Sequence, residues 1–173
     1  GIKDAQPDDY IVLSDSDEIP DFTKIKNLNT SKKYLAFSQK MFMYKLNLQN
    51  LNESNWIGSK ITKKKYIKSM QDLRNLKFKN YPFWRVDKYN QEIINGGWHF
   101  SFLQTPQQIL TKIKSFSHGE YNKGDINEKN IQEKILKNED IFDRNTELKK
   151  IAIDKSFPDY IINNQGKLSN WII

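Results

Sequence analysis

The chain has 173 residues, a length that fits one compact domain, and its 37% hydrophobic and 13% aromatic residues exclude wholesale disorder. It has no cysteine, which excludes disulfides, thiolate metal sites and cysteine nucleophiles, and no apolar run long enough for a transmembrane helix within these residues. The 28 Lys and Arg outnumber the 21 Asp and Glu, and this net charge of +7 favours polyanions such as nucleic acid, anionic lipid or a nucleotide diphosphate.

The first predicted element is a strand over Tyr10–Leu13, a short run of aromatic and β-branched residues. Such a continuous apolar run is typical of a strand buried on both faces of a parallel sheet. An acidic turn follows at residues 14–20, with the sequence SDSDEIP. Pro20 suits the first turn of a helix, and the next apolar residues have helical spacing: Phe22, Ile25 and Leu28. The pattern therefore predicts a strand, an acidic turn and a helix.

The remaining chain predicts a mixture of strands and helices. Strands are expected over residues 34–38, 41–46 and 56–61, with the first two antiparallel, and a helix is expected over 64–76. The double glycine at 96–97 predicts a tight turn before an alternating strand to residue 102. Further helices are expected at 105–116 and, with Asn127 as N-cap, at 128–136. Neither a repeat nor a linker interrupts this pattern, which predicts a single domain over residues 1–173.

The first candidate site is the carboxylate pair Asp15 and Asp17. It follows the predicted buried strand, and open α/β sheets bind ligands at the carboxyl ends of their strands. Two carboxylates there can hold a hard divalent cation, which neutralises phosphate oxygens. The structural alternative is a turn leading into a helix N-terminus, where acidic residues are favoured. A haloacid-dehalogenase-type phosphatase also has D-x-D after a strand, but this chain has Glu18-Ile19 where that class has Gly-Thr.

A second candidate lies at residues 96–102, with the sequence GGWHFSF. Trp98 offers a flat face on which a sugar or a base can stack. Strand alternation places His99 on the face opposite Trp98 and Phe100. His99 is the residue expected to supply a nitrogen ligand to the acidic pair, and its alternative is a structural or surface role.

A third candidate is the helix end and loop at residues 112–121, where Glu120 is a possible general base. Asp125 and Glu128 compete for this role, and the structural alternative is a solvated loop residue. Lysine clusters such as residues 63–65 are most often solvated faces. A diphosphate contact by one of these lysines or by Arg85 is possible, but the sequence singles none of them out.

Taken together, these segments resemble glycosyltransferase family 17. The family pattern is similar to S-D-x-D-E-I-P, matched at residues 14–20, and to G-W-H-x-S-[WF], matched at 97–102. A helix with K-[IL]-x-S and a later acidic residue resembles residues 112–115 and Glu120. Residues 135–142 resemble I-x-x-G-x-D-x-F, with Asn138 where the family commonly has Gly.

The resemblance implies an α/β, GT-A-like fold with a mixed sheet flanked by helices. It also implies metal-dependent, inverting transfer of N-acetylglucosamine, or a related sugar, from a UDP-sugar to a glycan hydroxyl, as in a β-1,4-N-acetylglucosaminyltransferase. The implied cofactor is Mn²⁺ or Mg²⁺ on the diphosphate, where it stabilises the leaving UDP. Implied site residues are metal ligands at Asp15, Asp17 and His99, a base at Glu120, support at Glu18 and sugar stacking at Trp98.

In a GT-A fold, a nucleotide-binding portion of on the order of 100 residues, several βαβ units, precedes the D-x-D strand. This chain begins just before that strand, so we expect a C-terminal portion of such an enzyme. An upstream segment or a second chain would then complete the nucleotide site. The expected location is the Golgi lumen in a eukaryote, and the cytoplasm or membrane periphery in a bacterium or virus.

A non-catalytic module that binds nucleic acid or acidic polysaccharide is the competing hypothesis. It is motivated by the net charge and the aromatic content. It predicts that basic and aromatic residues cluster on one face and that the binding affinity falls steeply with salt concentration. Glycosyl transfer is preferred because it alone explains why acidic residues stand together in a basic chain. No specific nucleic-acid partner is therefore expected.

Overall fold

The computed structural model describes residues 2–27, 32–78, 90–93, 95–115 and 126–173. These residues form eight strands and four α-helices: β1 (Tyr10–Leu13), β2 (Glu18–Pro20), β3 (Tyr34–Met43), β4 (Leu48–Asn50), β5 (Trp56–Lys63), α1 (Met70–Asn75), β6 (Asn90–Ile93), β7 (Gly97–Ser101), α2 (Pro106–Ser115), α3 (Glu128–Lys137), β8 (Leu148–Lys150) and α4 (Asp159–Asn163). The predicted α/β class is confirmed, and the more specific GT-A architecture stays a prediction. The chain divides into two compact units, Gly1–Lys40 with Asn55–His99, and Met41–Ser54 with Phe100–Ile173.

The first unit contains both antiparallel and parallel strand pairs. β5 pairs antiparallel with β1 on one side and with β3 on the other, and β3 also pairs parallel with β6. A small apolar core of Leu35, Phe37 and Ile61 lies beneath these strands, with Ile25 packed against it. This core anchors β3 and β5, the strands that carry the side chains around the acidic turn.

The strand β1 differs from its prediction. It is an end strand paired antiparallel with β5, and its side chains alternate, with Tyr10 and Val12 exposed and Ile11 and Leu13 half-buried. The prediction of a strand buried on both faces of a parallel sheet was therefore wrong. Lys63 places its ammonium 5.7 Å from the ring centre of Tyr10, so a cation–π contact covers part of the exposed aromatic face.

The segment after the acidic turn also departs from its prediction. Pro20 belongs to β2 rather than to a helix, and residues 22–27 form a 3₁₀ helix instead of an α-helix. Asp21 explains this start, because its carboxylate accepts hydrogen bonds from the backbone N and the hydroxyl of Thr23. β2 pairs antiparallel with β7, which places Glu18 opposite His99 and Pro20 opposite Gly97.

Gly97 is required for this pairing. Its φ of +140° is rarely adopted by residues with a side chain, and an added Cβ would lie 2.2 Å from the carbonyl oxygen of Ile19. The glycine therefore lets β2 and β7 approach closely. Trp98 lies opposite Ile19 in the same register.

Two further predictions are corrected by local backbone geometry. The strands predicted at 34–38 and 41–46 form the single strand β3, and the chain reverses only after Met43, where Tyr44 adopts a φ of 63°. The helix predicted at 64–76 is a 3₁₀ turn at 64–66 followed by α1. Ser69 separates them because it is extended and its hydroxyl accepts a hydrogen bond from the backbone N of Asp72, capping α1.

The second unit combines the end of β3 with β4, β8 and three helices. Its core contains Met43, Leu48, Ile109 and Ile131, with less buried residues such as Ile173 packed around it. The predicted helices at 105–116 and 128–136 are confirmed as α2 and α3. Asn127 caps α3 as predicted, since its side-chain oxygen accepts from the backbone N of Asn130 at 2.9 Å.

Past α3, the chain turns around one buried carboxylate. Asn138 ends the helix in the left-handed conformation, with φ 56° and ψ 42°, which explains why this position suits Gly or Asn. Asp140, only 3% exposed, accepts hydrogen bonds from the Phe142 backbone N, both Nε and Nη2 of Arg144, and the Thr146 hydroxyl. The aspartate of the family-like segment at 135–142 is thus a structural residue.

Candidate functional site

The acidic turn joins β1 to β2 within the first unit and is tied to β5. The carbonyl of Asp15 accepts a hydrogen bond from the backbone N of Glu18 at 3.1 Å, which closes the turn. The Ser14 hydroxyl donates to the carbonyl of Glu18 at 3.1 Å and lies 2.7 Å from the hydroxyl of Ser59 on β5. The conformation of the turn is therefore fixed by hydrogen bonds within the turn and by a contact with β5.

Glu18 is the centre of this hydrogen-bond network. Its Oε2 accepts from the backbone N of Asp15 at 3.2 Å and from the Ser59 hydroxyl at 3.3 Å. Its Oε1 accepts from the indole Nε1 of Trp56 at 3.0 Å. One of these contacts lies within the turn, and the other two connect it to β5. They are consistent with the supporting role predicted for Glu18.

A glycine on β5 makes room for this arrangement. A Cβ added to Gly58 would lie 2.0 Å from Oε1 of Gln39 and 3.0 Å from the carboxyl carbon of Glu18. Gln39 is fully buried, and its Nε2 donates to the hydroxyl of Ser59 at 3.2 Å. Any side chain at position 58 would therefore displace Gln39 or Glu18, and with them the turn.

His99 and Asp17 lie beside one another. The Nε2 atom of His99 is 3.5 Å from Oδ2 of Asp17, and the side chain of His99 is only 8% exposed. The ring of Trp56 packs against it at a centroid distance of 4.9 Å and an angle of 47°. Glu18, Trp56, His99 and Asp17 thus form one continuous set of contacts, which brings together two of the three predicted metal ligands.

Asp15, the third predicted ligand, has a different partner. Its Oδ1 accepts a hydrogen bond from Nη2 of Arg74 at 2.7 Å, and both side chains are about half exposed. These residues, with Glu18 and Lys60, line a recess of about 140 Å³. Lys60 is nearly buried and donates from Nζ to the backbone carbonyl of Arg74. Burial lowers the pKa of Lys60, opposed by the nearby charge of Glu18.

The chemistry of these donors fits a divalent cation completed by substrate. Within the described ranges, no group of three or more His, Asp or Glu side chains is arranged to hold a metal ion. Mg²⁺ is commonly bound by one or two carboxylates together with substrate phosphates and water. Adjacent ligands of an octahedral ion lie roughly 3 Å apart, so the 3.5 Å between Asp17 and His99 needs only a small side-chain rotation to place both atoms on one cation.

Some predicted residues are placed elsewhere or are not described. Glu120, Asp125 and Arg85 lie outside the described residues, so the general base stays a prediction. Glu128 occupies the exposed first turn of α3, and Trp98 is half-buried on β7.

Sequence reasoning missed the residues that surround the acidic turn. Trp56, Ser59, Lys60 and Arg74 come from β5 and α1, far along the chain from the turn. The sequence offers no signal for them, since a polar residue inside a strand is ordinary alternation.

A second concavity, of about 640 Å³, lies within the second unit. Its walls are mainly apolar, formed by residues such as Ile135, Leu136, Trp171 and Ile173. Among the described residues, none of the predicted metal ligands lines it, and Glu18 and Trp98 do not line it either.

Residues 2–151 match the sequence model of Glycosyltransferase family 17. The match covers most of the chain, and the protein therefore belongs to glycosyltransferase family 17, which confirms the resemblance carried by the acidic turn and the Gly-Trp-His segment. Its function is glycosyl transfer between a donor and an acceptor substrate. Comparisons with curated proteins and with solved structures gave no match. Among the described helices, none has the length and apolar character needed to cross a membrane.

Proposed function

We propose that this protein transfers N-acetylglucosamine, or a related sugar, from a UDP-sugar to a glycan hydroxyl, with inversion and with dependence on Mn²⁺ or Mg²⁺. The observation that carries the proposal is the approach of Asp17 to His99, 3.5 Å apart, in a turn whose sequence fits the family. It favours glycosyl transfer over a basic binding module, which has no need for a fixed acidic turn.

Asp17 and His99, together with Asp15, would hold the cation. When bound, the cation neutralises charge on the diphosphate and so stabilises UDP as a leaving group. Glu18 keeps the turn and Trp56 in place, and the indole in turn restricts the imidazole of His99. The protein thus supplies a preorganised site, which is the part of catalysis that depends on its own residues.

The transfer itself is a single displacement at the anomeric carbon. The acceptor oxygen forms its bond to that carbon as the bond to the UDP oxygen breaks, and the configuration inverts. The acceptor proton passes to a carboxylate, which we assign to Glu120, and Trp98 stacks on a sugar ring.

Calorimetric titration of UDP and UDP-N-acetylglucosamine, with and without Mn²⁺, tests the proposal. We expect the wild type to bind UDP in a Mn²⁺-dependent way. For Asp17→Asn we expect a loss of roughly 10-fold or more in UDP affinity, the size of effect that follows when a residue supporting a metal site is removed. Unchanged Mn²⁺-dependent binding by Asp17→Asn would remove the metal role of the turn. Binding that depends on salt but not on Mn²⁺ would favour the basic binding module.

A further inference from the structure

One of the two aspartates of the acidic turn, Asp15, already has a cationic partner, Arg74. The guanidinium Nη2 lies 2.7 Å from Oδ1 of Asp15, and the exposed fractions of the two side chains are 54% and 50%. A carboxylate that accepts a guanidinium hydrogen bond shares its charge with that cation. Asp15 therefore gives up part of its contact with Arg74 if it binds a metal ion.

The backbone of Arg74 is fixed by a contact that is independent of its side chain. It lies one residue before the end of α1, and its carbonyl accepts a hydrogen bond from Nζ of the nearly buried Lys60. The only ion pair described for the guanidinium is the one with Asp15, within the ranges that the structure covers. The backbone is thus fixed at the recess while the long side chain can turn toward a second partner.

The charges in the recess are balanced. Asp15 and Glu18 contribute two negative charges, and Lys60 and Arg74 contribute two positive ones. A divalent cation and a diphosphate that enter together bring charges of both signs. Exposed ion pairs contribute little net stability, so an exchange of partners here is energetically cheap. A guanidinium also matches phosphate oxygens with two parallel hydrogen bonds, which an ammonium cannot do.

We propose that Arg74 is a donor-binding residue that exchanges partners. Without substrate it neutralises Asp15, and with substrate Asp15 turns to the cation and the guanidinium turns to the diphosphate. This inference rests on the proposed function, since it assumes a nucleotide diphosphate at the acidic turn. Its consequence is that Arg74 opposes binding of the free cation and favours binding of the nucleotide.

The test is whether loss of the Arg74 guanidinium changes the affinities for Mn²⁺ and for UDP in opposite directions. Calorimetry would measure Mn²⁺ alone, and UDP at saturating Mn²⁺, on the full chain. For Arg74→Gln we expect Mn²⁺ to bind roughly 3-fold more tightly, because a competing positive charge is gone, and UDP to bind roughly 10-fold more weakly. Arg74→Lys keeps the charge but not the paired donors, and we expect an intermediate loss in UDP affinity.

Lys24→Gln is the matched control. It removes the same charge from a side chain about as exposed as Arg74, together with an ion pair to Asp21 at 3.9 Å, in the same unit. We expect neither affinity to change in this variant, and an equal change would mean that only general electrostatics was measured, which overturns the proposal. Parallel losses of Mn²⁺ and UDP affinity in Arg74→Gln, or none, also overturn it. Wild type that binds no UDP with Mn²⁺ contradicts the proposed function itself.

Discussion

Two aspartate-containing segments, one in each unit, show how differently a carboxylate can be used. Asp140 is buried and accepts four hydrogen bonds, from Phe142, Arg144 and Thr146. Asp15 is half exposed, and its carboxylate accepts a hydrogen bond from Arg74 alone among the contacts described. Both segments resemble family motifs. The buried carboxylate, which accepts four hydrogen bonds, stabilises a loop. The half-exposed carboxylate, with one described partner, can exchange that partner for a ligand.

Replacement of the buried carboxylate should have the largest effect. Asp140→Ala leaves the Phe142 N–H and the Arg144 guanidinium without their acceptor, and we expect a loss of about 2–4 kcal/mol in the free energy of unfolding. Urea unfolding measures it. Asp15→Ala is the counterpart, for which we expect a loss below about 1 kcal/mol together with weakened UDP binding. A large stability loss for Asp15→Ala would erase the distinction between the two segments.

Crowding the acidic turn should have the next largest effect. Gly58→Ala places a Cβ 2.0 Å from Gln39 Oε1, and we expect overpacking to cost about 1–3 kcal/mol of unfolding free energy. The same variant should weaken Mn²⁺-dependent UDP binding because Glu18 is displaced. Gly166→Ala is the control, since an added Cβ there has no neighbour within 4 Å, and neither measurement should change. A Gly58→Ala protein with wild-type binding would mean that the turn tolerates the shift.

The contact between Glu18 and Trp56 should have a smaller, measurable effect. A double-mutant cycle of Glu18→Gln and Trp56→Phe isolates the hydrogen bond, because phenylalanine keeps an aromatic ring beside His99 but lacks the indole N–H. We expect a coupling free energy of about 1 kcal/mol in thermal or urea unfolding. Additive single effects would show that Glu18 holds the turn through Asp15 and Ser59 alone.

The smallest effect is expected where α3 ends. Asn138→Gly should change the free energy of unfolding by no more than about 0.5 kcal/mol, because glycine also adopts the left-handed conformation found there. Asn138→Ala should lose about 1 kcal/mol, since a Cβ without a polar group is disfavoured at φ 56°. Equal stability of the glycine and alanine variants would contradict this explanation of the family's preference.

The sequence predicted best what depends on neighbouring residues. The helices α2 and α3 were found because helical spacing and the Asn127 cap are local signals. The break at Ser69 was missed because a serine inside an apolar period can either continue a helix or cap a new one. The prediction of a buried parallel strand at β1 was wrong because an apolar run of four residues does not distinguish such a strand from an antiparallel end strand.

The candidate site was predicted only in part, for a related reason. Asp15, Asp17, Glu18 and His99 are found by their short motifs. Their partners Arg74 and Trp56 are brought to the turn by tertiary packing, across 59 and 38 residues of chain. No local pattern identifies such partners, because strand pairing and side-chain reach decide which of many basic or aromatic residues arrives there.

The absence of a side chain at position 97 also has an evolutionary consequence. Even a methyl group there would meet the carbonyl oxygen of Ile19, and β2 could no longer keep Glu18 opposite His99. A slip of one residue would turn alternate side chains to the other face of the strand and separate the glutamate from its present neighbours. Selection should therefore keep this glycine in active descendants, because a side chain there would meet the backbone of β2.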